Sequence, residues 1–171
     1  MKSNLYSLAV KKETASTLMV LLAIVVAAPF INQQLISGTI VNAALIVGVC
    51  LLGARDGLII GLIPSSVALA TGLLPPVLAP IIPFIIVSNA ILVLAFDYLR
   101  KLNYWVGIVV SALLKSVFLY CISNLVIGLL LNKHVAPTVA MMTSWPQLVT
   151  ALAGGIVAFG VVKLLKRDLR A

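Results

Sequence analysis

The sequence predicts an all-α polytopic membrane protein with six transmembrane helices and both termini in the cytoplasm. Three observations carry that prediction. The first is composition. Of the 171 residues 63% are hydrophobic and only 9% charged, with a mean hydropathy of +1.23. A soluble domain of this length could not keep so much apolar surface from water. The second is spacing: apolar runs approaching or reaching the roughly 17–25 residues that cross a bilayer recur along the whole chain. They lack the alternation of an outer-membrane barrel. The third is the placement of charge. Lys2, Lys11, Lys12, Arg55, Arg100, Lys101, Lys163, Lys166, Arg167 and Arg170 fall on one side of the predicted spans, and only Lys133 falls on the other. Such asymmetry marks the cytoplasmic side.

The elements follow from the breaks between apolar runs, in a single domain covering 1–171. The first span is read at 16–30, after Lys11 and Lys12, and is expected to stay in the protein, because no small-residue cleavage pattern follows it. The second is read at 40–54 and the third at 57–74, separated by the turn at Arg55-Asp56. The fourth, at 77–96, starts after Pro75-Pro76. The fifth covers 104–131 and the sixth 147–165. Spans one and two are short, so their ends are expected among neighbouring polar residues. Three connections then face outward: N-Q-Q-L-I-S-G (32–38), L-L-P-P-V (73–77) and the longest, 132–146, which holds Trp145. Long loops of that kind often serve as binding elements or lids. The cytoplasmic turns are too short to hold a soluble domain.

Several function classes drop out. The net charge of +8 invites a nucleic-acid reading, yet the cations flank spans and serve topology. No HExxH, GxSxG or Walker A motif is present, the four acids are unpaired, and His134 stands alone in an outer loop. Cys50 and Cys121 fall within spans and read as small apolar fillers. No metal site, no cofactor and no enzymatic centre is expected. Gly57 and Gly61 share one face of span three and read as packing positions. Pro64, Pro80 and Pro83 fall inside spans three and four, where each could kink its helix.

The polar residues inside the spans are more informative. Asn42, Ser65, Ser66, Asn89, Ser111, Lys115, Ser116, Ser123 and Asn124 are costly against lipid, although serine and asparagine often bond between helices. Lys115, in V-V-S-A-L-L-K-S-V-F-L-Y-C (109–121), differs in degree. A lysine at the midplane costs at least about 2.5–3.5 kcal/mol. It lies about 16 Å along the helix from Tyr104, too far for its side chain to reach the interface. The nearest acid, Asp97, is near a helix end at another depth. Three outcomes stay open: Lys115 meets an anionic or carbonyl-bearing ligand, donates to exposed backbone carbonyls, or stays neutral. Helical spacing puts Ser111 and Phe118 near its face. With Asn89 on the preceding span, these residues form a candidate pocket.

The chain resembles the substrate-binding S components of energy-coupling factor (ECF) type vitamin transporters, over nearly its full length. The six spans and cytoplasmic termini carry the likeness, together with Ala23-x-x-x-Ala27 in span one, the turn G-A-R-D-G-L-I-I-G (53–61) and P-P-V-L-A-P-I-I-P-F-I-I-V-S-N-A (75–90). The resemblance implies capture of a vitamin or related micronutrient near the outer face. It also implies uptake through a transmembrane coupling subunit and two ATPase subunits in the cytoplasmic (inner) membrane. Ala23 and Ala27 would dock on the coupling subunit. The outer loops and spans four to six would form the pocket, with Asn32, Gln33, Gln34, Asn89, Lys115, Trp145 and Gln147 as candidate contacts and Lys115 at its floor. A stand-alone secondary carrier and a non-transporting scaffold subunit are the competing readings.

Overall fold

A single glycine joins two of the helices at the centre of the molecule. In the computed structural model, which describes residues 2–31, 33–72, 76–130 and 136–165, α2 (Gln34–Leu52) ends at Gly53 and α3 (Ala54–Ala70) begins at the next residue. Gly53 takes φ 94°, a left-handed conformation open to glycine. Its N–H closes α2 on the Val49 carbonyl, and its own carbonyl accepts from Gly57 in the first turn of α3.

The other helices start and stop for equally local reasons. α1 (Lys2–Ala27) runs into a 3₁₀ turn at Ala28–Ile31 that contains Pro29. A second 3₁₀ segment, Pro76–Ile81, leads into α4 (Ile82–Leu99), whose second residue is Pro83. Proline is tolerated there because the first helical turn has no carbonyl for the missing N–H. The expected kinks at Pro80 and Pro83 are therefore not interior kinks, and of the three only Pro64 lies beyond the first turn of an α-helix. α5 (Tyr104–Leu130) is capped by Asn103, whose side-chain oxygen accepts from the N–H groups of Trp105 and Val106 at 2.8 and 3.3 Å.

The segment 132–146, read from sequence as one long loop, contains a short helix, α6 (Ala136–Thr143). It is followed after Ser144 by α7 (Trp145–Leu164). The first turn of α2 likewise takes in Gln34 to Ser37, part of the outer connection expected at 32–38.

Among the described residues five helical stretches are long and apolar enough to cross a membrane: Glu13–Ile31, Gln34–Leu52, Ala79–Leu99, Tyr104–Val126 and Ala140–Leu164. α3 has 17 residues, about 26 Å, and packs among them. α2 is the hub, touching α1, α3, α4 and α7, and its residues Asn42 to Val49 are all buried. A helix apolar on every face belongs in such a position. Gly154 of α7 lets that helix close on α2, because a Cβ there would sit 2.7 Å from Asn42 Cβ and 2.8 Å from the backbone nitrogen of Ala43. Gly57 and Gly61 are buried against α2 and α4, the packing role expected of them.

The outward faces are apolar instead of charged. Leu113, Leu114 and Val117 of α5, with Leu94 of α4 and Ile156 of α7, are exposed along the middle of their helices. Such a continuous apolar exterior suits lipid and not water. Cys121 is on this exterior, a correction to the expected buried filler, whereas Cys50 is half-buried.

Candidate functional site

Lys115 is buried, with 2% of its surface exposed, near the middle of α5. Its Nζ donates to Asn42 Oδ1 of α2 at 2.6 Å and to Asn89 Oδ1 of α4 at 2.8 Å. Among the described residues neither a backbone carbonyl nor an acid receives it. The acceptors are two neutral side-chain amides, an arrangement that the three outcomes drawn from sequence did not include. Asp97 is engaged elsewhere, in a two-point contact with the buried Arg100 three residues on.

Each amide is held in turn by its other end. Asn42 Nδ2 donates to Thr150 Oγ1 of α7 at 3.2 Å, and Asn89 Nδ2 donates to the Gly61 carbonyl of α3 at 3.1 Å. Both amides thus point oxygen toward the ammonium and nitrogen away. Five helices meet in this one polar knot. Gly61 permits it, since a Cβ there would crowd Asn89 Cβ at 3.3 Å.

The knot forms the floor of a cavity of about 310 Å³, at the low end of small-molecule sites. The floor is Lys115, Asn42 and Asn89. The walls come from Ser37, Gly38 and Val41 of α2, Pro64, Ser65 and Ala68 of α3, and Ile85 of α4. Pro29, Gln33, Gln34, Met142 and Gln147 gather at the far end. There Gln34 Nε2 and Gln147 Nε2 both donate to the Met142 carbonyl, at 2.8 and 2.9 Å. One carbonyl in the last turn of α6 is thereby tied to α2 and α7 across the top of the chamber. This end of the bundle is opposite the α2–α3 and α4–α5 turns that carry Arg55, Arg100 and Lys101.

Of the residues singled out from sequence, Lys115, Asn89, Gln33, Gln34 and Gln147 line the cavity. Ser111 does not. It is buried one turn along α5 toward Tyr104, beneath the floor, and its Oγ donates to the Ile108 carbonyl at 3.2 Å. Phe118 is half-buried and outside the lining, rotated about 60° around α5 from Lys115. Trp145 starts α7 with 59% of its surface exposed, which suits an interfacial anchor and not a chamber wall. Asn32 lies outside the described residues. Asn42 and Ser65, both costly polar residues by sequence, also line the cavity but are absent from the candidate contacts, as are Ser37 and Met142 of the outer connections and the supporting Thr150. Ala23 and Ala27 are both exposed on α1, whose Leu21 and Val25 face the bundle, as does Ala28 in the 3₁₀ turn that follows.

The fold and the chamber define a class: a multi-pass helical membrane protein that encloses a ligand-sized polar cavity within its bundle. Residues 14–166 match the model of the family described as ECF transporter, substrate-specific component, and the chain belongs to that family. It is accordingly a substrate-binding subunit of a transporter rather than an enzyme, and it works with an ECF module. No curated protein and no solved structure matches the chain.

Proposed function

We propose that this chain captures a vitamin or related small micronutrient at the outer face of the cytoplasmic membrane. In this reading it has no cofactor of its own and hands the substrate to partner subunits for ATP-driven uptake. A transmembrane coupling subunit and two ATPase subunits supply the power stroke, in the manner of an ABC importer. Both termini and the Arg55, Arg100 and Lys101 turns face the cytoplasm, and α3 makes the sixth crossing.

The single observation that carries this reading is the position of the cavity. It is within the bundle at the end remote from the cation-bearing turns, floored by Lys115 and its two asparagines. By the distribution of positive charge that end is the outer one. A chamber closed below and gated above by α6 suits capture from outside, not passage through the chain. Candidate contacts are Lys115, Asn42 and Asn89 on the floor, with Gln33, Gln34 and Gln147 at the mouth. The exposed small face at Ala23 and Ala27 suits docking on a partner helix.

The test is uptake in proteoliposomes together with thermal stabilisation of the purified chain by a vitamin panel. Capture by the chain alone, with accumulation only when the coupling and ATPase subunits and ATP are added, is the expected result. Accumulation by the chain alone would establish a secondary carrier instead, and absence of any bound molecule would leave a scaffold.

A further inference from the structure

The floor of the cavity is unbalanced in both hydrogen bonding and charge. An ammonium has three N–H donors. Among the described residues two of those on Lys115 are taken, by Asn42 and Asn89, and both acceptors are neutral. Lys115 also lines the cavity, so the chamber is where a third acceptor would be met. None of the fifteen lining residues is acidic and none besides Lys115 is charged. Asp97, eight residues past Asn89 on α4 toward the α4–α5 turn, is committed to Arg100. A buried cation whose partners are all neutral attracts an anion strongly, because little solvent screens the pair.

The balance also limits how much negative charge fits. One carboxylate matches one ammonium and leaves the chamber neutral. A phosphate dianion would leave a buried negative charge with no second lysine or arginine to meet it, which is destabilising at this depth. A cationic ligand would stand against Lys115 with no acid in the lining to offset the repulsion. The remaining lining groups are amides, hydroxyls and apolar side chains, suited to a compact, otherwise uncharged body.

We propose that the substrate is a small organic monoanion whose carboxylate sits on the cavity floor against Lys115 Nζ, with its uncharged body extending toward Gln33, Gln34 and Gln147. This rests on the substrate-binding reading given above and adds the chemical class of the substrate. The amides of Asn42 and Asn89 act as positioning groups, holding the ammonium in place without neutralising it.

Two variants separate charge from shape. Lys115→Met removes the cation. Asn42→Asp is nearly isosteric and sets a carboxylate where Oδ1 now lies, 2.6 Å from Nζ, so that Lys115 gains an internal counter-ion. Thr150 can accommodate the change, because its hydroxyl, now accepting from Asn42 Nδ2 and donating to the Gln147 carbonyl, can turn to donate to the new oxygen.

The probes are matched acid and uncharged pairs: nicotinate with nicotinamide, biotin with its primary amide, and pantothenate with its alcohol. They are read by thermal shift and equilibrium binding on the full chain in detergent. Molecules released from the chain on denaturation after purification from cells are identified by mass spectrometry. We expect an acid from the panel, or a released carboxylic acid, to bind at least about tenfold more tightly than its uncharged partner. That preference should vanish in both variants, while Asn42→Asp melts no lower than wild type without ligand. If the uncharged partners bind as well as the acids, or if the released molecule is neutral or cationic, the monoanion assignment is overturned and substrate binding stands. If an acid binds equally to wild type and to both folded variants, Lys115 is not its site and the assignment fails again. If nothing binds and nothing is released, the substrate-binding reading itself fails.

Discussion

Gly154→Ala tests the close approach of α7 to the α2 backbone and, through it, the site. A methyl group at position 154 would meet Asn42 Cβ at 2.7 Å, Ala43 N at 2.8 Å and the carbonyl carbon of Asn42 at 3.0 Å. These fall about 0.4–0.7 Å short of ordinary van der Waals separation, and two of the three atoms are backbone. No rotamer change relieves them, so α7 must move off α2. Overpacking of this kind typically costs about 1–3 kcal/mol. Against it stands the helix-propensity gain of alanine over glycine, about 0.5–1 kcal/mol. The net expectation is a loss of about 1–2 kcal/mol. Gly160→Ala is the control on the same helix: a Cβ there meets nothing within 4 Å, so only the propensity gain remains. Unfolding by SDS titration in mixed micelles measures both. The displacement also shifts Asn42, so ligand affinity should fall in the first variant and hold in the second. Equal stability of the two variants would refute the argument, since only the α2–α7 contact distinguishes them.

Other perturbations address single contacts. Tyr104→Phe removes the buried hydroxyl that donates to the Gly155 carbonyl at 2.7 Å and should cost about 1 kcal/mol in the same titration, with no effect on ligand affinity because the contact is far below the cavity. Gln34→Leu with Gln147→Leu removes both donors from the Met142 carbonyl, so hydrogen exchange across Ala136–Thr143 should quicken and ligand dissociation should speed up several-fold; unchanged exchange would show that α6 is held by other means. Ala23→Leu and Ala27→Leu add bulk on an exposed face, so ligand binding should persist while co-purification with a coupling subunit and reconstituted uptake decline. Full assembly with both bulky residues in place would remove that face from the interface.

What the sequence revealed about the fold was what lipid imposes. An apolar run long enough to cross must be helical whatever its neighbours, because no water is present to satisfy an open backbone. The spans of α4, α5 and α7 were legible for that reason. α6 was not: its eight residues form part of a mixed connection with no run long enough to carry a period. Pro80 and Pro83 were read as interior because the apolar run passes through them without a break. The backbone turns α-helical only at Ile82, so both fall at the boundary.

The site shows the same division between what is local and what is not. The burial of Lys115 followed from its depth on one helix, and its lack of a nearby acid followed from counting four acids. Choosing its neighbours by helical spacing selected Ser111 and Phe118, which share its helix but not its chamber. The true neighbours of a buried side chain in a bundle belong to other helices. Asn42 is 73 positions upstream, and nothing in its own segment reports which helix it faces. The one candidate taken from another helix, Asn89 on the preceding span, does meet Lys115.

The energetics of the floor explain how such a lysine can be kept by neutral acceptors alone. Hydrogen bonds to a charged group are worth about 1.5–3 kcal/mol each, and two of them are comparable to the roughly 2.5–3.5 kcal/mol that a midplane lysine costs on insertion scales. The knot can therefore stand with the cavity empty, provided that both amides keep their oxygens toward the ammonium. Thr150 and the Gly61 carbonyl fix that orientation from α7 and α3. An internal carboxylate would have stabilised the lysine further, but it would also have consumed the attraction that a ligand anion can use. Two neutral acceptors hold Lys115 in place and leave its charge available, and this is the arrangement expected of a floor that binds an anion and later releases it.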